Sequence, residues 1–481
     1  MKPLYWLFLM LIIVSIPIFA HLDELPLQLW DESRLAVNAL EMTQTGNMLV
    51  TTYEYLPDMW NVKPPLMVWL IAASMKLFGY NEFAVRFPSA IITLLTCMFL
   101  FRFMHKNTGN ARLAFLSCII LISCEGYVRL HGTRTGDYDV LLTLCTTAYL
   151  FNYYLFIENN SNKHLLYFFI FLTLAVFTKS IAGLMFLPAL LLYTLWKKKL
   201  FSVFKTKYFY LGLLVFIAVL VSYYLMREDK NPGYLQSVWD NELGGRYGSA
   251  IEYHKEKPNF YLLQLIQHKY KYWMLITILP IIFFYNKIKN DLSPLFHFLL
   301  LSSLSFLLVI SNAGTKLSWY DMPVYPLLAI ITALSIECLI SLLSYNTMQI
   351  KAKVFTIFII ILAFLIPYID VTAKCFTPEY DKFYEQNHYM AFFMARALRG
   401  QQNINNCIFT GDSKRDQNIV FYINIQKEEK GLRYKNLLQL DAGDKVVLFY
   451  KAQIDSLEDM YSSNITDSFA NVKVFQINGK K

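Results

Sequence analysis

Seven cysteines are scattered over the 481 residues, yet no Cys-x-x-Cys pair and no metal-type spacing occurs among them. That absence leaves no support for a zinc module or a dithiol redox centre. Cys97, Cys118, Cys124, Cys145 and Cys338 lie in or beside apolar runs, where cysteine behaves as a small hydrophobe. Only Cys375 and Cys407 lie in polar sequence, and outside the cytoplasm a disulfide between them is permitted but not required. Internal repeats and low-complexity tracts are also missing. Charge is scarce, at 16%, and nearly absent from the middle of the apolar runs, with Glu337 an exception near an inward end. A secondary transporter would instead place charges near the midplane on Gly- or Pro-broken helices.

Apolar sequence is what the chain has in excess. It is 56% hydrophobic and 16% aromatic, with mean hydropathy +0.36, whereas soluble domains are roughly 45–50% apolar. Eleven apolar segments suit membrane helices, at residues 4–20, 83–104, 111–124, 139–157, 164–178, 181–196, 208–226, 272–285, 294–311, 322–344 and 354–369. The Lys- and Arg-rich loops at 102–112, 197–207, 287–289 and 351–353 fall on alternate ends if the N-terminus is cytoplasmic. Loops 22–65, 125–137, 227–271 and 311–321 then face outward, together with the tail from Val371. These basic anchors account for most of the net charge of +9, so the sequence calls for no nucleic-acid partner. Residues 1–20 could be misread as a cleavable signal peptide. Cleavage would untether the loop carrying Asp31, so an uncleaved first helix is expected.

The first outward loop has order written into it. In 33–45, Leu35, Ala36, Ala39, Leu40 and Met42 recur at helical spacing before Gly46, which predicts an amphipathic helix lying in the membrane interface. The stretch 64–78, stopped by Gly79, reads as a short interfacial or re-entrant helix. After Ile369 the chain turns polar. A helical stretch at 382–398 and short strands at 406–410, 445–450 and 472–477 predict a small α/β domain. The domain division is therefore 1–370 for the membrane region and 371–481 for an extracytoplasmic domain. The fold class is an α-helical polytopic membrane protein of about 11 transmembrane helices with interfacial helices.

Ionisable side chains near lipid are expensive and are functional candidates by default. Here they gather at the outward ends of the segments: Asp31, Glu32, Arg34, Lys63, Asp137, Asp139, Lys179, Arg246, His254 and Lys316. This distribution suits a substrate with its tail in the membrane and its polar head in a surface cavity. A sugar linked through phosphate to a polyprenyl lipid already carries a good leaving group. Its transfer needs a carboxylate to take the acceptor's proton and cations to meet the developing phosphate charge. Asp31 suits the first role, and Lys63 with Arg246 or Lys316 the second. A single in-line attack would invert the anomeric centre. Each residue also has a plainer explanation. Asp31 could be a helix N-cap, Glu32 could only orient Arg34, Lys63 could be a snorkelling anchor, and His254 an exposed loop residue. Trp319, Tyr320 and Tyr325 read as interfacial belt.

Three stretches then point to a family: Asp31-Glu32-Ser33-Arg34, Lys63-Pro64-Pro65-Leu66, and Phe78-Gly79-Tyr80-Asn81-Glu82-Phe83-Ala84-Val85-Arg86-Phe87-Pro88-Ser89. They resemble the N-terminal signature of the aminoarabinose transferase-like branch of GT-C glycosyltransferases, related to the protein O-mannosyltransferases. Arg134-Thr135-Gly136-Asp137-Tyr138-Asp139, Thr178-Lys179-Ser180 and Gly314-Thr315-Lys316-Leu317-Ser318-Trp319-Tyr320 extend the likeness over roughly residues 1–370. The resemblance implies a GT-C fold in the inner (cytoplasmic) membrane and an active site on the periplasmic side. It also implies a polyprenyl-phosphate-linked sugar donor and a lipid, glycan or protein acceptor. By motif match Asp31, with Glu32 beside it, is the catalytic carboxylate, and Asp139 or Asp137 the second acid. Lys63, Arg34, Arg246 and Lys316 would meet the donor phosphate, and Lys179, His254 and Tyr320 would line the pocket. No cofactor is called for, although Asp31, Asp139 and His254 could converge on a divalent cation. One position departs from the pattern. Aminoarabinose-transferring relatives often read Glu-Lys-Pro-Pro, where this chain has Val62-Lys63-Pro64-Pro65. That change removes a partner for an amino sugar.

Overall fold

The computed structural model describes residues 2–244, 254–284, 292–342, 350–377, 380, 382–410 and 415–481. The N-terminal region is a helix bundle: α1 (Pro3–Phe19), α2 (Asp31–Thr45), α3 (Leu66–Phe78), α4 (Glu82–Thr108), α5 (Ala111–Ile122), α6 (Glu125–Val128), α7 (Tyr138–Asn159) and α8 (Asn162–Lys179). Longer helices follow at Lys207–Lys230, Ser293–Ser311, Tyr325–Leu342 and Ile350–Lys374. Short polar side chains divide the apolar sequence into separate helices. Asn81 accepts the Ala84 amide at the start of α4, Asn110 accepts that of Leu113 at the start of α5, and Asp137 accepts that of Tyr138 at the start of α7. Gly46 and Gly109, both in the left-handed conformation, end α2 and α4.

Over the described residues the eleven apolar segments fall on helices, with 181–196 divided between the 3-10 turn Ser180–Leu184 and the helix Leu187–Trp196. Among the described residues six helices are long and apolar enough to cross a membrane, and α1, α3, α5 and Leu187–Trp196 are shorter apolar ones. The chain is an integral, multi-pass membrane protein. Burial sorts the long helices: α7 is 94% buried over its apolar window, whereas Lys207–Lys230 is only 11% buried. A helix apolar on all sides must lie in a protein core or in lipid. Thus α7 forms the centre of the bundle and Lys207–Lys230 its lipid-facing wall.

α2 is the expected helix, with a cover of protein that its sequence does not show. It begins at Asp31, two residues before the apolar periodicity, and almost everything from Glu32 to Met42 is buried. Its apolar side packs on α3, and its other side is covered by the C-terminal helix Gln417–Lys430. Asn38 bonds Thr52 and Asp58 beside the small hairpin of β1 (Thr52–Tyr53) and β2 (Leu56–Pro57). The polar face that suggested exposure to solvent is met by protein instead.

Beyond Lys374 comes a layer of helices against a mixed sheet. The expected helix is present as Glu385–Leu398, and the expected strands as β3 (Cys407–Phe409), β5 (Lys445–Leu448) and β7 (Val472–Lys480). The sequence reading missed β4 (Arg433–Tyr434), β6 (Tyr461–Phe469) and the helices Gln417–Lys430 and Lys451–Met460. Strand order is β4-β3-β5-β7-β6, with β3 parallel to β4 and β5, and β7 antiparallel to β5 and β6. Tyr422 fastens this unit to the bundle. It is fully buried, donates to Glu82 Oε1 at 2.9 Å and accepts the Leu27 amide at 3.0 Å. Cys375 and Cys407 are both buried and free, so no disulfide joins them.

Candidate functional site

The start of α2 is held by a buried ion pair. Arg86 of α4 donates from Nε to Glu32 Oε1 at 2.8 Å and from Nη2 to Oε2 at 2.9 Å. Its other N–H groups reach the carbonyls of Leu22, Leu25 and Pro26 in the loop after α1. Glu32 also accepts the amides of Gln28 at 2.7 Å and Gly136 at 2.9 Å. One carboxylate thus ties together four stretches of chain, each within reach of the proposed reaction centre. Glu32 was expected among the catalytic residues. The geometry makes it a brace, with both oxygens engaged by fixed donors.

Asp31 differs from its neighbour. It is the first residue of α2, where the helix dipole favours a negative charge, and its side chain is 47% exposed. Trp30 before it has φ +72° and ψ −114°, an outlier for a bulky residue and a form of strain that clusters at functional sites. Opposite Asp31 lies His131, whose Nδ1 is 3.7 Å from Asp31 Oδ2 and is hydrogen-bonded to Asp137. The imidazole lies flat against the Trp319 indole, with centroids 3.5 Å apart and planes at 12°. Burial pulls the His131 pKa down, but the hydrogen bond and charge of Asp137, then the charge of Asp31, raise it overall. Burial opposes ionisation of Asp137 too, yet His131 and Lys179 hold its carboxyl below the usual range. Asp31 and Asp137 therefore converge on one imidazole.

Two residues further, in the first turn of α7, Asp139 lines a cavity. It is gripped by Lys179 of α8, whose Nζ lies 2.6 Å from each carboxylate oxygen. Lys63 enters the same cavity just before the Pro64-Pro65 turn into α3 and sits 5.5 Å from the Tyr138 ring centroid. Tyr320 closes one side, 5.1 Å from Lys179 Nζ. Glu242 completes the polar lining, with Oε1 3.1 Å from Lys63 Nζ but outside hydrogen-bond geometry. A carboxylate therefore does reach Lys63, although Val62 is fully buried among Tyr223, Tyr234 and Val238. It comes from the distant loop instead of the adjacent position.

Other expected partners lie elsewhere. Arg34 is closed on Asp58, with Nε to Oδ2 at 2.8 Å and Nη2 to Oδ1 at 2.7 Å, and it does not line the cavity. It stabilises the hairpin, which corrects its assignment to the donor phosphate. Lys316 is buried and donates to the Ala313 carbonyl at 2.7 Å, while its amide meets the His254 carbonyl. It ties two loops together beside the cavity. Arg246 lies outside the described residues. Tyr325 and Trp319 are not interfacial belt: Tyr325 is fully buried and bonds Asp321, and Trp319 stacks in the site. His131 and Glu242 were the site residues missed. Their only signal was an ionisable side chain in an outward loop.

Asp31, Asp139 and His254 do not form the anticipated cation set, since Asp139 is held by Lys179. The atoms that do lie within 4.8 Å of one another belong to Asp31, His131 and Asp137. These three would hold a divalent cation only if His131 gave up the proton it shares with Asp137.

Comparison with known proteins bears on the fold. The structure of ArnT from Cupriavidus metallidurans bound to undecaprenyl phosphate superposes with TM-score 0.73 over 98% of this chain and 97% of that one, at 14% identity. The apo form of the same protein gives 0.69 at 16% identity. The chain has the GT-C fold. Residues 62–225, a stretch that includes Lys63, Asp139 and Lys179, match the family model for dolichyl-phosphate-mannose-protein mannosyltransferase. An uncharacterized Aquifex aeolicus protein is 28% identical over 335 residues, 68% of this chain and 62% of its own. The undecaprenyl phosphate-alpha-4-amino-4-deoxy-L-arabinose arabinosyl transferase of Shewanella sediminis is 27% identical over 341 residues, 66% of this chain and 59% of its own. That of Aeromonas hydrophila is 32% identical over a shorter 160 residues, 33% of this chain and 27% of its own. The chain thus spans about three fifths of the length of the longer-matching relatives, and it resembles the aminoarabinose transferase-like branch of GT-C proteins.

Proposed function

We propose that this GT-C chain is an inverting glycosyltransferase that moves a sugar from a polyprenyl-phosphate carrier to an extracytoplasmic acceptor. The observation that carries the reading is the join between two chemistries at the start of α7. Asp137 points to Asp31 through His131, and Asp139 faces the cavity that holds Lys63 and Lys179. The acceptor hydroxyl attacks the anomeric carbon and its proton passes to the Asp31 carboxylate. The bond from that carbon to the phosphate oxygen breaks, and its electron pair stays on the phosphate, where Lys63 and Lys179 meet the charge. His131 and Asp137 fix the approach to Asp31. Residues 1–370 carry this chemistry in the proposed division. Residues 371–481 form the extracytoplasmic unit, and the last membrane helix runs four residues past the boundary, to Lys374.

The test uses full-length protein reconstituted in liposomes with a polyprenyl-phosphate sugar and total envelope glycolipid, glycan and protein as acceptors. Product is read by mass spectrometry, which also identifies sugar and acceptor. Asp31→Asn is expected to remove product while leaving the melting temperature unchanged. Normal product formation by that variant would overturn the assignment of the base. Flux of the lipid-linked sugar without transfer would favour a transporter.

A further inference from the structure

A second cavity lies behind the reaction centre, on the far side of the loop that carries His131. Its lining includes Arg86, Arg129, Leu130, Arg134, Thr135 and Lys374, and among the described residues no carboxylate lines it. The cations come from three places: α4, the loop before α7, and the end of the helix Ile350–Lys374. Their counter-ions stand behind the walls. Glu32 holds Arg86, Glu125 is shared by Arg129 and Lys374, and Asp370 is shared by Lys374 and Lys271. Arg134 is met by the carbonyls of Pro17, Ala20 and His21 at the end of α1, which are dipoles and carry no net charge. Among the described residues the four cations of the lining thus stand against three carboxylates, and Arg134 meets none of them. Burial, and then the nearby Arg86 charge, hold the Arg134 guanidinium below its ordinary pKa.

We propose that this cavity is a second anion site that binds a phosphate group, separate from the cavity of Lys63 and Lys179. The Arg134 guanidinium is a planar donor suited to phosphate oxygens, while Arg86, whose N–H groups are taken by Glu32 and three carbonyls, and Lys374 add positive charge. The site is at the same end of the bundle as Asp31, beside the ends of α1 and of the last membrane helix. A lipid headgroup phosphate could reach it from the bilayer surface, and a free phosphate could reach it from water. Thr135 lines it two residues before Asp137, so an occupant would rest against the loop that positions His131.

Two probes separate those sources, and neither requires a sugar donor, so the outcome does not depend on the proposed reaction. Delipidated full-length protein in detergent is titrated with inorganic phosphate. In parallel, protein extracted from phosphatidylglycerol nanodiscs is examined by native mass spectrometry for retained lipid. Leu130→Glu places a carboxylate in the cavity at a position already 38% exposed, so the fold should tolerate it. Lys374→Gln removes one cation, and Lys63→Ala serves as the control at the other cavity. Binding at least about tenfold weaker in Leu130→Glu and Lys374→Gln, but retained in Lys63→Ala, is expected. Retention of lipid alone would identify a headgroup, and binding of inorganic phosphate would identify a water-borne group. Absence of binding by both probes, or binding that the two cavity variants leave unchanged, would overturn the proposal. Loss only in Lys63→Ala would also overturn it.

Discussion

Asp31 and Glu32 are adjacent carboxylates with opposite fates. Glu32 is closed into a buried pair with Arg86, whereas Asp31 is half open and faces an imidazole. Substitution should separate the two roles. Asp31→Asn is expected to lower the transfer rate by about 10²–10⁴-fold with little change in stability. Glu32→Ala strands the Arg86 guanidinium and should cost about 3–5 kcal/mol, read from denaturant unfolding in detergent. The His131–Asp137 pair makes a pH prediction. The His131 pKa is raised, so its contribution to stability is full below the unfolded value of about 6.5 and fades as pH climbs through the folded value. The Asp137 pKa is lowered, so its contribution is full above about 3.9 and fades as pH falls through its folded value. Melting temperature should therefore decline on the alkaline side, and His131→Gln should flatten that limb. Asp31, Lys63, Asp137 and Lys179 were legible in the sequence because charge beside long apolar runs is hard to explain otherwise. His131 and Glu242 were not, since their loops have no periodicity to show which way a side chain turns.

Among the elements, the membrane helices were the most legible, because their apolar runs are long and three of them start at a short polar cap. α2 was legible as a helix but not in its surroundings: Asn38 and Glu41 read as a wet face, yet protein covers them. The cover comes from the hairpin and loop at 52–61 and from a chain segment nearly 400 residues away, and the pattern within the helix cannot report either. The loop before α7 is the element on which the site depends most. A Cβ at Gly136 would lie 2.5 Å from Val85 Cγ1 and 2.8 Å from the Val85 carbonyl oxygen, while the Gly136 amide is needed by Glu32. Gly136→Ala should thus cost about 1–3 kcal/mol and displace Asp137 from His131. Unfolding and transfer rate measured together check this. A loss of stability with unchanged transfer would mean that the loop does not position the pair.

At the scale of the molecule, the C-terminal unit is a part of the site's frame. Tyr422 reaches Leu27 and Glu82 at once, and Arg399 lies 3.6 Å from Glu82. Tyr422→Phe should loosen the docking by about 1–3 kcal/mol through the unmade hydrogen bonds. Limited proteolysis between 374 and 385 should then proceed faster than in the parent protein. The unit's α/β character was legible from its change in composition. The edge strand β6 was not, because Tyr461–Phe469 is mostly polar and alternates only weakly.

The cavity of Lys63 and Lys179 also holds Asp139 and Glu242, so its lining is electrically balanced. The sugar phosphodiester of the proposed reaction, with one negative charge, would have to loosen at least one of these pairs. The carrier left after transfer is a phosphate monoester, bearing about 1.5–2 negative charges at neutral pH. It is the better ligand for the same lysines. In the proposed reaction each turnover would leave the site holding its own competitive inhibitor, and the pace would be set by how quickly the bare carrier escapes into the bilayer.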